Sequence, residues 1–180
     1  MDCLESPQRN DEAIGMSAAP ADADGAAFRL AMREFASGVA IVACGEGESR
    51  AGCTVTAMAS LSLSPPSLVV CLNRSAATLT RLRERGAFAV NILGAQHRSL
   101  ADRFAGRGGV GGAARFSHGD WVTLVTGAPL LADALVGIDC RVEDVVERHS
   151  HAIVVGAAVA VRRGHGPALV HWRSRYETLE

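Results

Sequence analysis

The chain contains no lysine, because all 18 of its basic residues are arginine. That excludes Schiff-base chemistry with pyridoxal phosphate or an aldolase amine, a Walker lysine on ATP, and a lysine general base. Aromatic residues are scarce too, at 4% of 180 residues, so a platform of rings for stacking a cofactor or a base has little to draw on. Cysteine is present but unpatterned. Cys3, Cys44, Cys53, Cys71 and Cys140 are odd in number and hold no Cys-x-x-Cys pair, so neither a disulfide framework nor a zinc site is indicated. Buried free thiols are the expected state. Nor does charge of one sign prevail: 18 basic against 19 acidic residues leave a net charge of -1, with no electrostatic footprint for nucleic acid. No nucleic-acid partner is expected. The opening MDCLESPQRNDEAIGMSAAPADADG has no apolar signal-peptide core, and no later run reaches the length of a membrane span. A cytoplasmic protein without membrane contact is the expectation.

What the sequence does have is a globular composition, 48% hydrophobic and 21% charged, enough for one domain with a core of its own. Residues 1–24 are rich in Ala, Asp, Ser and Pro without periodicity and read as a disordered tail, or as a start chosen ahead of Met16. The domain is expected over residues 25–180. Asp24 or Gly25 caps a helix carrying Phe28, Met32 and Phe35 at helical spacing, with Gly38 placed to end it. VAIVAC (39–44) then reads as a buried strand, and GEGES as the turn into a second strand over 52–57. In ASLSLSPPSLVVCLN, Leu61 and Leu63 alternate with Ser60, Ser62 and Ser64, so serines are expected along one strand face until Pro65-Pro66 breaks the ladder. Ser75 caps a helix to Arg85, Gly86 ends it, AFAVNIL is a strand, and AQHRSLADRFA is a helix with Leu100 and Phe104 on one side. Residues 105–120, with six glycines, read as a mobile loop. Two long strands follow, near Ala134–Glu147 and His151–Val161, before ALVHW and Tyr176 close the chain. About seven strands with three helices between hairpins predict a mainly β fold with inserted helices, closed or nearly closed as a barrel.

Several residues invite chemistry. GEGESRAG follows a strand as a dinucleotide fingerprint does, but Arg50 occupies the third glycine slot and no helix follows to hold a pyrophosphate. His149 and His151, two apart in a predicted strand, could begin a metal site, yet no third ligand is recognisable, and no metal is expected. Cys53 and Cys71 lack a basic neighbour in sequence to stabilise a thiolate and read as core. His118-Gly119-Asp120 resembles acid-base equipment, but polar residues are expected in a glycine-rich loop anyway. The strongest constellation is rich in hydroxyls. Thr54, Thr56 and Ala57 with Ser60 and Ser62 put small donors and acceptors on a strand, where they suit the edge of a flat polar ring. Asn73, Arg74, Ser75 and Thr78 fall at a helix start, where they suit a phosphate. The same spacing serves a solvated sheet face and an ordinary N-cap equally well.

The stretches FRLAMREFASGVAIV, GCTVTAMASLSLSPPSLVVCLN, RSAATLTRLRERGAFAVNIL, QHRSLADRFAG and HAIVVGAAVAV resemble the short-chain flavin reductases. These are small NAD(P)H:flavin oxidoreductases that supply reduced flavin to two-component monooxygenases. The resemblance runs from about Phe28 to Leu179 and is specific in order and spacing, above all in the Thr-x-Thr-Ala-x-x-Ser-x-Ser-x-x-Pro-Pro core and the Ser-x-x-Thr after it. It implies an FMN-binding split β-barrel and a homodimer with the flavin near the subunit interface. Thr54, Thr56, Ala57, Ser60, Leu61 and Ser62 would border the isoalloxazine ring, and Asn73, Ser75, Ala76 and Thr78 would hold the ribityl and phosphate end beside Arg74. The family's Gly-Asp-His triplet appears as His149-Ser150-His151, which keeps the histidine beside the nicotinamide and replaces its two predecessors. An Asn/Ser pair at the ring appears as Thr56 and Ala57, with one hydroxyl fewer.

The implied reaction is hydride transfer from NADH (or NADPH) to FAD (or FMN), with reduced flavin then released to a partner monooxygenase. A flavin that must leave is expected to bind modestly, at about micromolar affinity or about -8 kcal/mol. The Ala- and Arg-rich, lysine-free composition points to a high-GC bacterial gene; a place in secondary metabolism such as antibiotic biosynthesis is an expectation added to that and is not read from the composition. Two rivals remain: a flavin-binding protein on the same fold that stores or senses flavin without turnover, and a heme-binding or plain dimerisation module.

Overall fold

The computed structural model of the protein describes residues 23–180. The tail expected over 1–24 lies almost wholly outside them. The described chain falls into two compact units that meet in sequence at Met32 and Arg33. The first carries helix α1 (Gly25–Met32), whose first turn is capped as expected: the Asp24 carboxylate accepts from the N–H groups of Ala26 and Ala27, each at 3.2 Å. It stops short of Gly38. Arg33 and Glu34 give their carbonyls to the Arg173 N–H and the Trp172 Nε1–H, which draws the chain out of the helix, and Gly38 lies in strand β1 (Ser37–Gly38).

In the second unit β2 (Ala40–Cys44) and β3 (Ala51–Val55) form the expected hairpin, Ala40 facing Val55 and Cys44 facing Ala51. β4 (Met58–Leu63) and β5 (Pro66–Asn73) form the next, folding back at Ser64-Pro65. Helix α2 (Ala77–Arg85) ends on Gly86 at φ +63, whose N–H bonds the Leu82 carbonyl, a left-handed cap that glycine adopts without penalty. After β6 (Ala87–Ile92) comes α3 (Arg98–Phe104), which buries Leu100, Ala101 and Phe104, and then the short β7 (Trp121–Val122) and β8 (Leu130–Leu131). The long pair β9 (Val136–Arg148) and β10 (His151–Arg163) precedes β11 (Ala168–Trp172) and β12 (Arg175–Leu179).

Seven strands make the main sheet in the order β3-β2-β6-β9-β10-β5-β4, every neighbour antiparallel. β1-β11-β12 and β7-β8 form two smaller sheets. The expected barrel closure is not made by a hydrogen-bonded ladder: β3 and β4 are the two edges of the main sheet. Yet only Thr56 and Ala57 separate them in sequence, so the sheet curls until its edges meet at that corner. Strand β2 is buried on both faces. Ala40, Val42 and Cys44 join an inner core with Leu72, Leu79, Leu82, Phe88, Val90 and Val154, while Val39, Ile41 and Ala43 join an outer one beneath Phe104 and Leu100. That two-sided burial explains its unbroken apolar run.

Residues 105–120 are more ordered than their glycines imply. They form two 3-10 turns, Arg107–Gly109 and Gly112–Ser117, with Phe116 buried against Phe104 (ring centroids 4.9 Å apart) and Trp121 (4.8 Å). Two arginines supply the missing pattern. Arg103 donates to the carbonyls of Ala114 and Arg115, and Arg115 donates to those of Val110, Phe104 and Gly52. Asp139, fully buried, accepts the N–H groups of Val125 and Thr126 at 2.8 Å each and the Thr126 hydroxyl, tying the β7–β8 connection to the sheet. No described helix is long and apolar enough to cross a membrane.

Candidate functional site

Register alone draws the candidate residues together. The Cys71 N–H bonds the Ala57 carbonyl at 2.9 Å, which hooks the β3–β4 corner to β5 two residues before Asn73. On the other side of β5, Asn73 pairs directly with His151, the first residue of β10. Thr56, Ala57, Asn73 and His151 therefore lie across three adjacent strand ends, all exposed.

The turn from β5 into α2 is organised by Asn73 rather than by Ser75. Asn73 Oδ1 accepts the Ser75 N–H at 2.9 Å and the Ser75 hydroxyl at 2.8 Å, an Asx-type turn, so the cap position of α2 passes to Ala76, whose side chain cannot cap. Beside it an open groove of about 500 Å³ is lined by Asn73, Arg74, Ser75, Arg83, Glu147 and Ser150. Arg74 Nη2 pairs with Glu147 Oε2 at 2.7 Å, Arg74 Nη1 donates to the His149 carbonyl at 3.1 Å, and the Arg74 N–H donates to Ser150 O. Arg83 Nη2 meets Glu147 Oε1, also at 2.7 Å. The hydrogen bond from Arg83, and then the charge of Arg74, hold the Glu147 carboxyl below the ordinary carboxylate range.

Other candidates face elsewhere. Thr78 is buried, with its hydroxyl towards the Cys53 thiol, and Thr54 donates to the Ala101 carbonyl of α3 at 2.6 Å. Both brace the scaffold behind the corner. The serine face expected on β4 is broken by a bulge: Ser60 pairs with Leu68 but Ser62 with Ser67, leaving Leu61 as the extra residue. Leu61 and Leu63 are the more exposed members, at 57% and 91%, while Ser62 is half-buried and accepts the Ser64 N–H. His149 and His151 do not share a strand face, because His149 sits in the β9–β10 turn at φ +50. Ser150 Oγ lies 2.9 Å from His151 Nδ1. Among the described residues no His/Cys/Asp/Glu cluster could hold a metal ion.

Burial makes Cys44, Cys53 and Cys140 poor nucleophiles. Desolvation pushes Cys44 and Cys140 up to about 12, and burial raises Cys53 as well. His118 and Asp120 line a separate cavity of about 540 Å³ with His97, Arg103 and Asp133. There His97 Nδ1 accepts the Gly94 N–H, and its Nε2 lies 3.1 Å from Asp133 Oδ1 without hydrogen-bond alignment. None of the residues matched to a flavin lines it. Glu147 and Arg83 went unrecognised in the sequence because each is an ordinary charged residue on a solvated face; the register of β9 with β10 brings Glu147 to Arg74, and α2 brings Arg83 to Glu147.

Comparison with known proteins identifies the family. The sequence model of the flavin reductase like domain matches residues 32–180. A curated relative named FMN reductase (NADH) RutF, from Methylorubrum extorquens, is 42% identical over 167 residues, covering 91% of this chain and 80% of its own. Among solved structures, BorF, the flavin reductase component of a bacterial two-component tryptophan halogenase, superposes with a TM-score of 0.79 at 31% identity, over 87% of this chain and 98% of that one. The NADH:FAD oxidoreductase of Streptomyces globisporus, solved with NAD and FAD fragments, superposes with a TM-score of 0.77 at 29% identity, over 86% and 92%.

Proposed function

From the premise that the chain belongs to the flavin reductase like domain family and is an NADH:flavin oxidoreductase, we propose that it reduces a diffusible flavin and passes it to a partner oxygenase. The observation that carries this reading is the register that sets His151 opposite Asn73, with the Thr56–Ala57 corner hooked to the same strand. A bound flavin supplies the hydride acceptor; the chain supplies position. The exposed backbone and hydroxyls of Thr56, Ala57 and Ser60, with Leu61 and Ser62 beyond them, border the ring. Asn73, Arg74, Ser75 and Ala76 face the ribityl and phosphate end, where the groove is open and rich in donors. Thr54 and Thr78 hold this frame from behind. His151, kept by Ser150, orients the nicotinamide carboxamide and need not exchange a proton.

The names of the relatives favour FMN and NADH, and the Streptomyces neighbour favours FAD, so either flavin is taken as substrate. A split-barrel homodimer in the cytoplasm that feeds a two-component monooxygenase in bacterial secondary metabolism completes the proposal. Its support is the curled sheet, the exposed Leu61 and Leu63, and the halogenase neighbour. The test is steady-state NADH oxidation with FAD, FMN or no flavin added. Flavin-dependent turnover is expected. Tight flavin binding without NADH loss would instead favour storage or sensing, a reading that the replaced Gly and Asp at positions 149 and 150 keep in view. His151→Ala is expected to raise the apparent KM for NADH more than it lowers kcat.

A further inference from the structure

The groove at the start of α2 holds two guanidinium groups, and one carboxylate already occupies both. Arg74, from the turn after β5, and Arg83, from the last turn of α2, each give one Nη2 to a different oxygen of Glu147 at 2.7 Å. Two oxygens spread across two guanidinium groups is the arrangement a phosphate makes. The Arg74 backbone is fixed by its N–H bond to Ser150 O, and its guanidinium is held further by the Nη1 bond to His149 O, which keeps the head beside Glu147. The three side chains are 51%, 43% and 39% exposed, and ion pairs so exposed contribute little to stability. Their arrangement is better explained by what the groove binds.

We infer that Glu147 is an internal competitor of the flavin phosphate: it takes the place of the anion on Arg74 and Arg83 and sets how strongly a phosphorylated flavin is preferred over an unphosphorylated one. The inference rests on the reading above that this groove receives the phosphate end. When the phosphate enters, Glu147 must give up at least one guanidinium and stays beside the new anion as a like charge. Both effects weaken binding of the charged end and leave the ring contacts at the corner untouched. A reductase that releases its product gains from such a device, because it shortens the residence of reduced flavin without loosening the ring site.

The experiment measures dissociation constants of FMN and riboflavin by fluorescence for the full chain and for Glu147→Gln. The substitution keeps the shape and removes the charge. FMN is expected to tighten by about five- to tenfold while riboflavin is unchanged, with the gain shrinking at high salt. Arg83→Ala, which leaves Glu147 wholly to Arg74, is expected to shift the FMN-to-riboflavin ratio the opposite way. An unchanged ratio in Glu147→Gln, or a loss of FMN affinity, overturns the inference while the flavin site stands. If neither flavin binds to the unaltered protein, the functional reading itself has failed.

Discussion

Asp139 offers a sharp test of how this scaffold is held. The residue is fully buried, and its carboxylate accepts two backbone N–H groups and one hydroxyl, all from Val125 and Thr126. Asp139→Ala leaves all three donors without an acceptor. Hydrogen bonds to a charged group contribute about 1.5–3 kcal/mol each, but three on one carboxylate are not additive, so the expected loss is about 3–5 kcal/mol. At about 2 cal/mol/K per residue, a unit of this length loses about 10–15 °C in Tm. Asp139→Asn should cost much less, about 1–2 kcal/mol. One amide oxygen still takes both N–H groups, and the Thr126 hydroxyl turns to accept from the new amide. Thr126→Val, which replaces the hydroxyl by a methyl and so removes its bond to Asp139 and its 3.2 Å bond from the Ala128 N–H, should fall in the same range. Thermal melts and urea midpoints give the order, and limited proteolysis gives the place: Asp139→Ala should open cleavage between Trp121 and Leu131. If the alanine variant loses less than about 1 kcal/mol, or the asparagine variant matches it, the carboxylate does not anchor the β7–β8 connection.

The remaining tests are simpler. With thiols pushed up to about 12, Cys44 and Cys140 hold only about one part in 10⁴ as thiolate near pH 8, so peptide-level mass spectrometry should find both unalkylated until the protein is unfolded. Rapid native labelling of either contradicts that burial. His149→Gly should leave stability unchanged or raise it by up to about 1 kcal/mol, since relief of the left-handed backbone is offset in part by glycine's freedom in the unfolded chain, and a urea midpoint shows it. A loss larger than that would mean the imidazole makes a contact that matters. Ala57→Ser restores a hydroxyl at the exposed corner, and FMN and riboflavin should both tighten by about fivefold, the worth of one added hydrogen bond; an unchanged titration would move the ring edge elsewhere.

Local order was readable where one residue type decides it. The apolar run of β2, the glycine stop after α2 and the interruption at Ser64-Pro65 each follow from short-range sterics or burial, although Pro66, expected to share in the break, already pairs with Leu63. The β11–β12 turn shows the limit. Arg173 and Ser174 both take positive φ, +49 and +64, in a two-residue hairpin that usually carries Asn or Gly. Part of the compensation comes from afar: Arg173 stacks on its neighbour Trp172 but pairs with Glu34, far away in sequence. The glycine-rich loop was misread for the same reason, since its order comes from guanidinium bonds to carbonyls rather than from apolar spacing. At the site, the residues of the flavin pattern were legible as a motif, but Glu147 became visible only once β9 had been placed against β10 and α2.

The two borders of the seven-stranded sheet are guarded unequally. On β3 the Gly52 carbonyl is stopped by the Arg115 guanidinium, and α3 and the 3-10 turn Gly112–Ser117 pack over the strand. Among the described residues β4 has no ladder partner on its outer side, and its Leu61 and Leu63 are exposed. An unpaired strand edge with exposed apolar side chains is a template for another chain, so β4 is the first place to test for self-association or aggregation. A charge placed at Leu63 is then a solubility tool as much as a probe of assembly.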